Sequence, residues 1–110
     1  MKLEYKNIKE TILPNFQCGE KELKANIFND ELNKILTRAI LAPGASIGLH
    51  KHETSSEIIY IISGEGLMIC DDNEELLQSG DVHYCKKGSS HTFKNNSDKD
   101  LIFFAVVPQQ

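Results

Sequence analysis

Apolar and polar positions change register about every ten residues from residue 35 onward, and the changes fall at turn-forming residues. The apolar runs are Ile35 to Ala42, Ser46 to His52, Glu57 to Ile62, Leu67 to Asp71, Glu74 to Gln78, Val82 to Cys85, His91 to Asn95 and Leu101 to Val107. Between them lie Pro43-Gly44, Gly64-Glu65-Gly66, Asp72-Asn73, Ser79-Gly80-Asp81, Gly88-Ser89-Ser90 and Asn96-Ser97-Asp98. Each of these segments favours a tight turn. Short strands at such spacing predict an all-β sandwich or barrel. Residues 1–34 are more polar and predict an arm with short strands; Leu23, Ala25 and Ile27 alternate with Lys24 and Asn26 as a strand does. No helical period runs longer than two turns.

Two of the predicted strands do not alternate. Glu57-Ile58-Ile59-Tyr60-Ile61-Ile62 and Leu101-Ile102-Phe103-Phe104-Ala105-Val106-Val107 are apolar on both faces. An antiparallel strand of that kind needs its outer face covered. The N-terminal arm or a second subunit is the expected cover, and a homodimer is the expected assembly.

The chain has 110 residues and a formal charge of −4. That length suits one domain, 1–110, with the arm at 1–34 and the barrel at 35–108. The acidic balance, with no run of Lys or Arg, argues against a nucleic-acid partner. No stretch has the apolar length of a signal peptide or a membrane span, so the expected location is the cytoplasm, with no membrane partner. Cys18, Cys70 and Cys85 lack CxxC spacing. They are expected as reduced thiols, mostly small buried hydrophobes.

All four histidines lie between residues 50 and 91. His50 and His52 are two apart, so on a strand they share a face and set two imidazoles side by side. Glu57 opens the next strand, where an adjacent antiparallel strand would present it to the same spot. His91 opens a later one. Imidazoles with one carboxylate suit Mn, Fe, Co, Ni, Cu or Zn and suit Ca or Mg poorly. The expected cofactor is one divalent transition ion on His50, His52, Glu57 and His91, with open positions for a small ligand.

The spacing of these residues resembles the two-part signature of the cupin superfamily. The first part reads Gly44, five residues, His50-Lys51-His52, four residues, Glu57, six residues, Gly64. The second reads Gly80, five residues, Lys86-Lys87-Gly88, two residues, His91, three residues, Asn95. Only Lys86 departs, standing where the family usually has proline. The resemblance implies a single-domain cupin β-barrel (a double-stranded β-helix or jelly roll). It also implies that the two histidines and the glutamate of the first part and the histidine of the second ligate the metal. The superfamily includes dioxygenases, decarboxylases, isomerases, lyases and non-catalytic binders, so the fold does not choose among them. The expected function is a metalloenzyme on a small polar or anionic metabolite, dioxygenase- or decarboxylase-like. The alternative is a metal-anchored binding or sensor module without turnover.

Two further residues are candidates for catalysis or binding. Arg38, the lone arginine, would hold a substrate carboxylate if it points inward, and is an outer-face residue otherwise. His83 would move protons if it lines the cavity. It therefore separates an enzyme, with His83 facing in, from a binder, with His83 turned away. Phe93 shares the face of His91 and is expected to pack the interior.

Overall fold

The computed structural model describes residues 1–110. Ten strands form, nine on the predicted runs and β1 outside them: β1 (Glu10–Pro14), β2 (Glu22–Asn29), β3 (Asn33–Leu41), β4 (Ser46–Lys51), β5 (Glu57–Ser63), β6 (Glu65–Cys70), β7 (Asn73–Gln78), β8 (Val82–Cys85), β9 (Ser90–Lys94) and β10 (Leu101–Pro108). Two short 3-10 turns, Tyr5–Asn7 and Phe16–Cys18, are the remaining regular elements. The strands make two antiparallel sheets, ordered β1-β2-β3-β10-β5-β8 and β4-β9-β6-β7. This is the all-β architecture expected from the alternation, in the jelly-roll form that the resemblance implies. No helix is long and apolar enough to cross a membrane.

The two sheets close over one apolar layer. Leu23, Ala39, Leu41, Ile59, Ile61, Leu101 and Phe103 come from the six-stranded sheet, and Met68 and Phe93 from the other. Phe93 meets Phe103 edge to face across the gap, with ring centroids 5.4 Å apart. Such a pair adds about 0.5–1.5 kcal/mol beyond its area burial. Leu23 and Ala25 of β2 are part of this core, so the arm contributes strands to the main sheet.

Three local features explain the signature's fixed positions. Gly64 has φ +84°, and a Cβ there would stand 2.4 Å from the Asp100 carbonyl oxygen, so only glycine fits. Asn95 is buried, and its Nδ2 donates to the carbonyls of Leu41 and Lys99, both at 2.7 Å. It thereby staples the β9–β10 turn to β3. At the position usually held by proline, the turn is closed by the Ser89 N–H donating to the Lys86 carbonyl at 3.0 Å. A backbone hydrogen bond does there what a fixed φ would otherwise do.

A bulge in β3 changes which side chains face inward. Asn26 of β2 pairs with Arg38, but Ile27 pairs with Leu36, so one residue is extra. Leu36 is buried before the bulge, and Ala39 and Leu41 after it. Inward parity switches from even to odd between them. Arg38 is thereby turned from the interior, and its guanidinium lies 5.0 Å from the centroid of the Tyr5 ring.

The outer faces of β5 and β10 remain without a cover from the arm. Ile58, Tyr60 and Ile62 are exposed by 38, 44 and 43 %. Val106 stands opposite Ile58, Phe104 opposite Tyr60, and Tyr84 of β8 flanks Ile58. The arm's strands are used instead at the far edge of the same sheet, in the order β1-β2-β3.

Candidate metal centre

The site is assembled at one end of the space between the sheets. His50 of β4 stands in register with His91 of β9. His52 lies just past β4, held there by its N–H donating to the Ser89 carbonyl and its carbonyl accepting from the Gly88 N–H. Glu57 differs from the expected placement. It does not sit on a strand adjacent to β4, because β4 pairs only with β9 and β5 belongs to the other sheet. Residues 53–56 carry the chain across the gap, and the carboxylate approaches the three imidazoles from the opposite side. The same crossing is strapped by the end of the chain: the Ser56 N–H donates to the Pro108 carbonyl, and the Gln110 N–H to the Thr54 carbonyl.

The donor atoms converge. His91 Nε2 lies 3.0 Å from His52 Nε2, 3.2 Å from His50 Nε2 and 3.0 Å from Glu57 Oε1. His52 Nε2 is 3.2 Å from the same carboxylate oxygen. Each ring is oriented from behind by its other nitrogen. His50 Nδ1 donates to the Gly48 carbonyl at 2.8 Å, His52 Nδ1 meets Ser55 Oγ at 3.0 Å, and His91 Nδ1 meets His83 Nε2 at 3.1 Å. A carbonyl only accepts, so His50 carries its proton on Nδ1 and turns a bare Nε2 inward.

This donor set fits a metal ion. Lone pairs and a carboxylate at such spacing repel unless positive charge lies among them; a proton serves one pair, whereas an ion serves all four. Bonds of about 2.1 Å at right angles place neighbouring donors about 3.0 Å apart, as found here. Nitrogen and carboxylate ligands favour a divalent transition ion over Ca or Mg.

Burial would raise the pKa of the Glu57 carboxyl, but hydrogen bonds from His52 and His91 outweigh it and bring it down to about 2. Burial lowers His50 below the ordinary imidazole value. It lowers His83 likewise, with the nearby His91 acting in the same direction. Glu57 therefore stays ionised, and His50 and His83 stay neutral, around neutral pH. Burial also pushes the Cys85 thiol up to about 12.

His50, His52, Glu57 and His91, the four side chains that could hold an ion, floor a cavity of about 100 Å³. Its walls are mainly apolar, with Leu13, Phe16, Ile47 and Ile59 among them. Lys34 and Gln17 add the only polar side chains outside the ligand group. Arg38 does not line it, and neither does His83, which is buried behind His91. Phe93 lines the cavity while packing against Phe103. Lys34 was visible only as a position sharing the face of Leu36, two residues on. Gln17 sits in the Phe16–Cys18 turn, and no pattern marked it.

Comparison with known proteins agrees with this architecture. The family model described as "Cupin domain" matches residues 37–107. The chain belongs to the cupin family. This cupin is 40 % identical over 100 residues to the oxalate-binding protein of Thermotoga maritima, covering 86 % of this chain and 83 % of that one. It is 35 % identical over 95 residues to an uncharacterized protein of Methanocaldococcus jannaschii, covering 86 % and 75 %. Among solved structures, it superposes on a Thermotoga maritima protein described as a predicted oxalate decarboxylase with TM-score 0.89 and 30 % identity, both chains being covered in full. The Cnp3 cupin domain of Schizosaccharomyces pombe matches with TM-score 0.80 over the whole of this cupin and 74 % of that chain; at 12 % identity it shares the fold alone.

Proposed function

We propose that this cupin is a metal-anchored binding protein for a small dicarboxylate of the oxalate type, with the ion held by His50, His52, Glu57 and His91. The observation that carries this reading is the lining of the cavity. Apart from Lys34, every ionisable side chain facing it belongs to the ligand group. A bound ion supplies positive charge and open positions for ligand oxygens. Lys34 supplies a second cation on the wall, so a compact dianion meets charge at both ends. The Thermotoga maritima relative named for oxalate binding supports the ligand class.

Turnover would need a proton delivered to the reacting carbon, and the imidazole expected to deliver it does not line this pocket. Cleaving the carbon–carbon bond of a dicarboxylate leaves a carbanion that must gain a proton from a group facing it. His83, the candidate for that task, points at the back of His91. Binding without turnover is therefore favoured. The decarboxylase description of the structural relative keeps conversion to formate and carbon dioxide as the second reading. We further propose a homodimer formed through the uncovered face of β5, β10 and β8.

The test is to strip the protein with chelator, reload it separately with Mn, Fe, Co, Ni, Cu or Zn, and titrate with oxalate. At least one ion should raise the melting temperature, and oxalate should saturate at one per chain only in the loaded protein. Ligand at about a hundredfold its Kd adds about 2.7 kcal/mol of stability. Equal oxalate binding with and without metal would remove the anchoring role. Formate accumulating over many turnovers would replace the binder by the enzyme.

A further inference from the structure

Behind His91, on the side away from the cavity, lies a second group of ligating side chains. Cys70 of β6 stands in register with His91, and Cys85 of β8 in register with Glu57. His83 precedes Cys85 by two residues, on the same inward face, and both are buried. The two thiols and a ring nitrogen of His83 lie within 4.8 Å of one another. Cys70 is partly exposed, so solvent reaches the group from the β6 side.

We propose that Cys70, His83 and Cys85 form a second ion site, specific for a thiophilic d10 ion of the zinc(II) or copper(I) type. Two thiolates and an imidazole make a soft donor set, unlike the nitrogen and carboxylate set in front. Three ligands from two facing sheets also fix the ion in space without help from a loop. Solvent access at Cys70 gives the ion an entry path and room for a fourth ligand.

The two sites oppose each other through His83. A neutral imidazole carries one proton. With His91 Nε2 on a front ion, its Nδ1 holds the proton and donates it to His83 Nε2, 3.1 Å away. The proton of His83 then sits on its own Nδ1, and no lone pair is left for a second ion. Filling the back site must break that hydrogen bond. Only this opposition, and not the back site itself, rests on the front assignment.

The experiment is a cobalt(II) titration of the reduced, chelator-stripped full chain. Thiolate ligation gives a near-ultraviolet charge-transfer band that a nitrogen and oxygen centre does not. The band should form in the wild type and at lower cobalt in the H50A/H52A double variant, where no front ion competes. It should persist in C18S, vanish in C70S and C85S, and be displaced by zinc(II). Circular dichroism checks each fold, and C70S, at the partly exposed position, decides if C85S does not fold. Absence of the band from both the wild type and H50A/H52A at saturating cobalt overturns the site, as does a band that survives in folded C70S. A band with the same midpoint in the wild type and H50A/H52A would instead point to failure of the front assignment.

Discussion

Replacing Glu57 by Gln tests whether the carboxylate is ionised against the imidazoles. The side chain keeps its size, and its amide oxygen still accepts a hydrogen bond, but the charge is gone. The carboxyl pKa falls from 4.5 to about 2 in the fold. At about 1.36 kcal/mol per unit, this corresponds to about 3 kcal/mol of stability at neutral pH. A neutral amide recovers about 1 kcal/mol of that as an ordinary hydrogen bond, so the expected loss is about 2 kcal/mol. For a chain of 110 residues, with an unfolding entropy of about 2.1 cal/mol/K per residue, the melting temperature should drop by about 9 °C. Urea unfolding and calorimetry on chelator-stripped protein measure both quantities. The sign follows from the depressed pKa: the wild-type advantage is full above pH 4.5 and disappears as pH falls towards 2. Wild type and E57Q of equal stability at pH 7 would refute the reasoning, because the carboxylate would then gain nothing from His52 and His91.

Three further outcomes are expected. Chelator-stripped protein should lose stability as pH drops below 6.5, because the unfolded chain takes up protons on His50 and His83 before the folded one does; urea midpoints at pH 8, 6 and 5 should fall in that order. Lys34→Ala should weaken oxalate binding to the metal-loaded protein by about 10- to 100-fold, the worth of a charged hydrogen bond, while Arg38→Ala leaves it unchanged in the same calorimetric titration. Light scattering should give twice the chain mass of 12.4 kDa, and Tyr60→Glu with Ile58→Glu should give the single mass; a wild-type monomer at micromolar concentration would exclude the β5 face as an interface.

Most of the fold was legible because alternation and turn residues agree along residues 35–107. Every predicted run there became a strand, with ends shifted by a few residues. β1 was missed because Thr11, Ile12 and Leu13 make a short run that ends at Pro14, and no member is buried. The grouping of His50, His52, Glu57 and His91 was legible from their spacing, and the four side chains converge. The sheet that carries Glu57 was not, since spacing along a chain does not say to which layer a strand returns. Arg38 stood out as a lone arginine in an apolar run, but one extra residue in β3 reversed its side. A bulge changes parity without leaving any mark in composition. Lys34, on the inward side of that bulge, looked like one more surface lysine among many.

The order of the strands also sets when this protein can fold. β10 follows the other nine strands along the chain, yet it lies in the middle of the larger sheet, between β3 and β5. Residues 108 and 110 then fasten the crossing that carries His52 towards Glu57. While the chain is still emerging during synthesis, β1-β2-β3 and β5-β8 are separate ribbons with no strand to join them, and His91 faces an unfastened loop. The ribbons cannot join early, because β10 pairs with β3 and β5 across long stretches of sequence. Closure of the larger sheet therefore waits until β10 has emerged, and the gathering of His50, His52, Glu57 and His91 around one point comes after it.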